Sequence, residues 1–445
     1  MKSFRLQNIK SFTDSGEIEL RPITIFAGRN SSGKSALVRF PVVLKQTFQS
    51  NTEAPILLNG KSIDYGNFSE VVHNQTGNIF SYEISFSVDK LNIGADFYKF
   101  QPSPKISTVK LNFEITYKNV IQLKSYSIYF DDSKVISFEN QKAVLHSFVN
   151  FNSDDEIICP ISEKIIFDAS IHQNTDFIIN TNDLQLKDDD NQNILSTLIL
   201  IKSLNINKFL KDFFGNIVYI SSFRQEPLRI YRASESAFNE VGTKGDLTAT
   251  ILTQNTEVQD KVSEWLIKTF GYKLEIIKNP DSSFFEVKVR HVEKTFSENL
   301  VDVGSGIAQV LPIITQVYFD LLQNKSRTFV IEEPEIHLHP NAQVELAELF
   351  AKIAKKTKST FIIETHSEHL IRKFQSIVAD VDSGFNSDDI LIYQTDLNSS
   401  GASEIEKIEI TDNGQFSKKW KSGFFDKAYQ LSKELMQNIS KSNRT

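Results

Sequence analysis

The chain has 445 residues, 56 of them Asp or Glu and 49 Lys or Arg, for a net charge of −7 at pH 7. That balance excludes a global positive field of the kind that draws proteins onto nucleic acid, and leaves only a local basic groove for such a role. One cysteine, Cys159, excludes a disulfide within the chain. No charged-then-apolar leader precedes the first apolar segment and the longest apolar runs fall short of a bilayer, so the expectation is a cytoplasmic protein that engages no membrane.

Phe4 to Ile9 and Glu17 to Leu20 read as strands, followed by the apolar run Ile23-Thr24-Ile25-Phe26. Next comes Gly28 to Ser35, GRNSSGKS, which fits G-x-x-x-x-G-K-[ST] at every fixed position, and then ALVRF, which opens a helix over Ser35 to Leu44. A strand, a glycine-rich loop and a helix in that order point to a nucleoside triphosphate. Backbone N–H groups from Gly28 through Asn30, Ser31, Ser32 and Gly33 to Ala36, with the positive end of the helix, can cradle polyphosphate. Lys34 would neutralise the outer phosphates, and the Ser35 hydroxyl would ligate Mg²⁺. Gly28 and Gly33 are expected to be glycine because a side chain would hold the backbone away from phosphate. This stretch reads as the opening of a nucleotide-binding α/β core.

From Phe80 to about Phe167 the pattern changes to period-two alternation, as in Phe80-Ser81-Tyr82-Glu83-Ile84-Ser85-Phe86 and Val109-Lys110-Leu111-Asn112-Phe113-Glu114-Ile115, which predicts a β-rich lobe. The polar Asp183 to Gln192 reads as an exposed loop before a helical run, Ile194 to Phe214, that Gly215 stops. A strand at Ile217 to Ser221, a helix around Leu247 to Phe270 and β segments at Lys273 to Ile277 and Phe285 to Val292 follow. Thr328 to Ile331, Thr360 to Ile363 and Ile390 to Tyr393 are short apolar strands separated by helices, as in Leu346, Leu349, Phe350 and Ile353, the rhythm of a parallel sheet covered by helices.

Chemistry gathers at the ends of these strands. Phe329-Val330-Ile331 runs into Glu332 and Glu333, and because alternate strand residues face opposite ways the two can divide the work: Glu332 on the metal side, holding Mg²⁺ through water, and Glu333 orienting or deprotonating the attacking water. Phe361-Ile362-Ile363 runs into Glu364-Thr365-His366-Ser367, with His366 where a γ-phosphate sensor would sit. Gly304-Ser305-Gly306 opens an apolar helix, a second anion site. One ATP rarely needs two, which suggests that this one serves the nucleotide of a partner subunit.

The order GRNSSGKS, GSGIAQ, VIEEPEIHLHP, ETHSEHL resembles the ABC-type ATPases of the OLD and SMC-like branch, often labelled AAA-family ATPases in bacterial genomes. The tail Gly414-Gln415-Phe416 to Trp420 with Gly423-Phe424-Phe425-Asp426 is similar to a small C-terminal domain of unknown function in such ATPases, and Ser222-Phe223-Arg224 with Glu226-Pro227 and Tyr231 to a mid-chain segment of the same group. The resemblance implies an α/β fold: an ABC-type P-loop NTPase core with a mixed sheet flanked by helices, plus an inserted β-rich lobe and a helical segment. It divides the chain into 1–79 (phosphate-loop part of the core), 80–192 (β-rich lobe), 193–300 (helical and β segment completing the first lobe), 301–395 (signature turn, carboxylate strand and switch histidine) and 396–445 (small C-terminal domain). It also implies ATP and Mg²⁺, and a homodimer that sandwiches two ATP molecules. In it Lys34 and Ser35 bind phosphate and metal, Ser305 and Gly306 make the trans contact, Glu332 assists the metal, Glu333 is the catalytic base and His366 the switch histidine. Two departures are that the signature turn is not Leu-Ser-Gly-Gly-Gln and that Glu332 stands where most relatives place Asp. Gln46, Gln49 and Gln75 are all open for the family's glutamine loop.

Other features read more plainly. Glu335, His337 and His339 alternate on an extended stretch, yet no nearby cysteine completes a four-ligand set, and His366-Ser367-Glu368-His369 is not the H-E-x-x-H zinc arrangement. Trp265, beside Val262, Leu266 and Phe270, reads as core, and Lys352, Lys355, Lys356 and Lys358 as the solvated face and end of a helix. The leading function is an ATPase whose ATP-dependent dimerisation controls a separate effector protein or a DNA or RNA substrate, by resemblance in anti-phage defence or DNA maintenance. The alternative is a nucleotide-dependent scaffold with little hydrolysis. A fused nuclease is not expected: about 80 residues follow His366, below a typical domain length, and Asp388-Asp389 precedes a strand instead of ending one.

Overall fold

The computed structural model describes residues 1–50, 52, 54–87, 106–139, 142–149, 158–172, 176–179, 194, 197–198, 201, 206–278, 282–421 and 434. The loop expected at Asp183 to Gln192 and the tail segment Gly423 to Asp426 lie outside the described residues. The described parts of Met1–Leu20, Arg39–Ile217 and Leu397–Glu404 make one compact unit, and those of Arg21–Val38, Val218–Asp396 and Ile405–Thr445 a second.

In the first unit, the alternating apolar segments form strands Ile79–Ser87 and Thr108–Lys118. The sheet continues antiparallel, each strand beside the one before, through Val120–Phe130, Ser133–Glu139, Lys142–Val149, Ile158–His172 and Asp176–Ile179. Register sets Tyr82 opposite Phe113, Phe113 opposite Tyr126 and Tyr126 opposite Phe138. The rings stand 4.8, 4.8 and 5.7 Å apart, a ladder of cross-strand aromatic pairs on the buried face. Strand Ser3–Ile9 joins this sheet, with Phe4 opposite Ile84 and Leu6 opposite Tyr82. The first forty residues thus feed two different sheets. Ser3–Ile9 is buried at Phe4, Leu6 and Ile9 and more open between them, as an antiparallel sheet with one covered face requires, whereas Ile23–Gly28 is buried throughout. Helix Ile206–Gly215 ends at the glycine expected to stop it.

The second unit holds a six-stranded sheet in the order Ile217–Ile220, Thr328–Glu332, Thr360–Glu364, Ile23–Gly28, Ile390–Leu397, Ser403–Glu409. The pairings of Thr360–Glu364 with Thr328–Glu332 and with Ile23–Gly28, and of Ile390–Leu397 with Ile23–Gly28, are parallel, so their carboxyl ends share one edge. Continuous apolar runs suit strands covered on both faces. Helices Ser305–Leu322, Pro340–Thr357 and Glu368–Ala379 and the strands feed one core. This is the expected α/β P-loop architecture.

Several local readings meet particular residues. The helix expected from Leu247 to Phe270 is two, Thr248–Gln254 and Thr256–Phe270, because Asn255 turns extended and its side-chain amide donates to the Ile251 carbonyl. Trp265 is buried in the core, edge-on to Phe270. Lys352, Lys355 and Lys356 lie exposed on helix Pro340–Thr357, and Lys358 closes it in the left-handed conformation. Ser305–Leu322 is long and apolar enough to cross a membrane, against the expectation that every apolar run falls short. Most of it is buried inside the unit, and its apolar character serves the core.

Phe361 shows how tightly that core is set: fully buried, it stacks on Phe329 at 4.8 Å and meets Phe350 at 4.9 Å. Phe361→Ala is expected to cost about 3–5 kcal/mol, read as a lowered urea midpoint in the full chain.

Candidate nucleotide and metal site

The site assembles where the parallel strands of the second unit end, the edge at which open α/β sheets bind ligands. Ile23–Gly28 delivers the glycine-rich loop into helix Lys34–Gln49, and three positive φ values shape it: Gly28 (151°), Ser31 (61°) and Gly33 (94°). Gly28 is paired with Thr395. A Cβ on Gly28 would lie 2.3 Å from the Thr395 carbonyl oxygen and 2.6 Å from its Oγ1. The glycine is therefore required by the neighbouring strand, a reason the phosphate argument from sequence did not contain. Ser32 Oγ donates to the Arg29 carbonyl at 2.7 Å and meets Thr395 Oγ1 at 2.6 Å, tying the loop to the same residue.

Lys34 is buried, and its Nζ donates to the carbonyls of Gly28 (3.1 Å) and Arg29 (2.7 Å). Burial lowers its pKa, against the pull of Glu364, Glu333 and Glu335. Ser35 Oγ donates to Glu364 Oε1 at 2.9 Å. Glu364 is buried and borders Glu332 across the strand pair. Burial first, and then the Glu332 charge, push it up to about 7. Its Oε2 has no hydrogen-bond partner.

Glu332, also buried, accepts from Tyr219 Oη at 2.9 Å and Ser222 Oγ at 3.4 Å. The two glutamates part company, but not through the strand pleat. The strand ends at Glu332, and Glu333 takes a left-handed φ of 43°, with its N–H donating to the Glu364 carbonyl at 2.7 Å. Arg224 fixes this turn: its Nη2 donates to the Glu332 carbonyl at 2.7 Å and the Glu333 carbonyl at 3.2 Å. Burial lowers its pKa to about 10, against the pull of Glu335, Glu333 and Glu332. His366 Nε2 lies 3.7 Å from Glu333 Oε1. Burial and Lys34 bring His366 down to about 4, so at neutral pH it is a neutral imidazole. Thus Lys34, Ser35, Glu332, Glu333 and His366 are linked in one contiguous set of contacts.

The signature turn has a different setting. Gly304 and Ser305 are exposed at the start of helix Ser305–Leu322. A Cβ on Gly306 would stand 2.6 Å from the His337 carbonyl oxygen, so this glycine is needed within the chain itself. Of the histidine stretch, Glu335 Oε1 accepts from the His366 N–H at 2.6 Å, its enclosed carboxyl raised by burial. His339 caps helix Pro340–Thr357, and His337 is exposed. Among the described residues no group of three His, Cys, Asp or Glu side chains forms a metal cluster. Gln46 packs the 57–63 segment of the first unit, donating to the Leu57 carbonyl and accepting from the Ile63 N–H.

Glu364, Arg224 and Tyr219 were the residues missed. Glu364 stood inside a quoted motif, shadowed by His366. Arg224 also stood inside a quoted stretch, Ser222-Phe223-Arg224, as the lone cation shortly after the strand Ile217–Ile220. Tyr219, one apolar letter among four, offered no signal.

Compared with known proteins, residues 1–371 match the AAA ATPase domain, and the chain belongs to that family. Within it, the resemblance to ABC-type ATPases of the OLD and SMC-like branch stands. The chain is 30% identical over 89 residues to the OLD nuclease of Thermus scotoductus (strain ATCC 700910 / SA-01), covering 20% of this chain and 17% of that protein. It is 38% identical over 58 residues to "Probable ABC transporter ATP-binding protein p29" of Mesomycoplasma hyorhinis, covering 13% of this chain and 23% of that one. The matched stretches thus span less than a quarter of either relative. Among solved structures, the SMC head domain from Thermotoga maritima aligns over 91% of this chain and 97% of its own at 11% identity and a TM-score of 0.39. An SmcHead bound to the C-winged helix domain of ScpA aligns over 91% and 96% at 11% identity and a TM-score of 0.46.

Two outcomes follow from this geometry. Gly28→Ala, which drives a methyl into Thr395, is expected to lower the melting temperature and the retention of a fluorescent ATP analogue together. The titrations give stability opposite slopes. Folded Glu364 keeps its proton up to about 7 against an ordinary 4.5, so the stability it contributes is lost as pH rises through that window. Folded His366 resists its proton down to about 4 against an ordinary 6.5, so its contribution is lost as pH falls through that one. In metal-free protein, urea midpoints of the parent should fall relative to Glu364→Gln between about pH 5 and pH 8, and His366→Asn should flatten the acid side.

Proposed function

We propose that the chain binds and hydrolyses ATP as an ABC-type ATPase, and that ATP draws two copies into a dimer which governs a separate effector chain or a nucleic-acid substrate in the cytoplasm. The observation that carries this reading is the chain of contacts from the glycine-rich loop through Ser35 to Glu364, Glu332, Glu333 and His366 at one edge of a parallel sheet. Magnesium fits there, because Ser35 Oγ stands beside a buried carboxylate, that of Glu364, with an unpartnered oxygen; Ser35 would hold it, with Glu332 through water. When bound, it supplies positive charge against the triphosphate.

The chain's own groups do the rest. Loop N–H groups and Lys34 hold the phosphates. Glu333, free of the strand, orients a water and takes its proton as the water oxygen bonds to the γ-phosphorus and the bond to the bridging oxygen breaks, giving ADP and phosphate. Neutral His366 beside Glu333 donates a hydrogen bond to the γ-phosphate or positions that water. Ser305 and Gly306 address the nucleotide of the partner copy, a role that suits the exposed start of their helix. Likeness to the OLD nuclease supports work on nucleic acid or with a nuclease partner, in anti-phage defence or DNA maintenance.

Phosphate release and light scattering test this. The parent should turn over ATP. Glu333→Gln should lose about 100-fold or more of that rate, the upper part of what positioned acid–base groups contribute, while keeping nucleotide and dimerising more firmly. Lys34→Ala should fail to retain nucleotide. A parent that dimerises with ATP yet releases no phosphate is a scaffold, and one that stays monomeric with ATP and magnesium refutes the dimer.

A further inference from the structure

We propose that Glu364 meets the metal directly beside Ser35, with Glu332 standing one strand further out. This deepens, and rests on, the ATPase reading above. Sheet order carries the argument. Thr360–Glu364 lies between the loop strand and Thr328–Glu332, so Glu364 is in register with Phe26, and Glu332 reaches that strand only across Glu364. Each step across a sheet is about 4.8 Å, which puts Glu332 roughly twice as far from the loop as Glu364.

The bonding agrees. Both oxygens of Glu332 are engaged, by Tyr219 Oη and Ser222 Oγ. Glu364, only 5% exposed, has one oxygen on Ser35 and the other without a partner. The 2.9 Å between Ser35 Oγ and Glu364 Oε1 is a hydrogen-bond length. It is also about the spacing of adjacent oxygens around an octahedral Mg²⁺ with bonds near 2.1 Å. Two buried acids side by side with Lys34 as the cation bonded into the loop leave room for added positive charge.

The test is Mn²⁺ binding to the full chain with a non-hydrolysable ATP analogue, followed by electron paramagnetic resonance. Glu364→Gln, which can keep the Ser35 hydrogen bond, should weaken Mn²⁺ affinity about tenfold or more, and more than Glu332→Gln does. Binding of a fluorescent ATP analogue in EDTA should stay within about twofold of the parent, because the loop holds phosphate through N–H groups and Lys34. Glu364→Cys offers an independent reading: a sulfur in direct contact should raise the preference for Cd²⁺ over Mn²⁺ about tenfold or more relative to the parent. Unchanged Mn²⁺ affinity in Glu364→Gln, or an unchanged metal preference in Glu364→Cys, overturns the assignment and leaves the ATPase reading standing. A parent that binds neither nucleotide nor Mn²⁺ overturns both.

Discussion

Four parallel strands held in one register govern the second unit. Phe26 pairs with Glu364, Gly28 with Thr395 and Glu332 with Glu364, so the loop strand is pinned from both sides at the level where the chemistry sits. A shift by one residue would send every side chain to the other face of the sheet and carry each acidic tip off that level. The core of Ile, Phe, Leu and Val therefore does more than stabilise the unit. It sets the height at which each acidic tip emerges, and the distances among Ser35, Glu364 and Glu333 are inherited from it.

Around that register, backbone atoms carry much of the positioning. Arg224 holds the carbonyls of Glu332 and Glu333, the Glu333 N–H is held by the Glu364 carbonyl, and the His366 N–H by Glu335. Grips of this kind are indifferent to the side chains they orient. The acid at 333 can change to an amide without disturbing the turn that presents it, which makes the turn a fixture and the side chain a replaceable tool. Burying Arg224 for this purpose costs desolvation, and the nearby acids offset it.

How much of this was readable beforehand varied with the reach of the interaction. GRNSSGKS and the apolar strands with acidic ends could be recognised because loop, strand and helix are local, and period-two alternation gave Ile79–Ser87 and Thr108–Lys118 for the same reason. Pairings between distant segments were not legible: nothing near Phe4 says that it will face Ile84, and nothing near Gly28 names Thr395. Glu364 was visible as a letter, but its contact with Ser35 depends on the order in which strands stack. The expected division of Glu332 and Glu333 by the pleat failed because a strand has to end somewhere, and it ends between them.

Gly306 sits where no side chain fits, its backbone pressed close to the His337 carbonyl. Few residues separate that carbonyl from the Glu333 turn, and the opposite side of the glycine opens at once onto the exposed helix start. Such a joint has no slack: any side chain introduced at 306 would have to displace the main chain that leads back to Glu333.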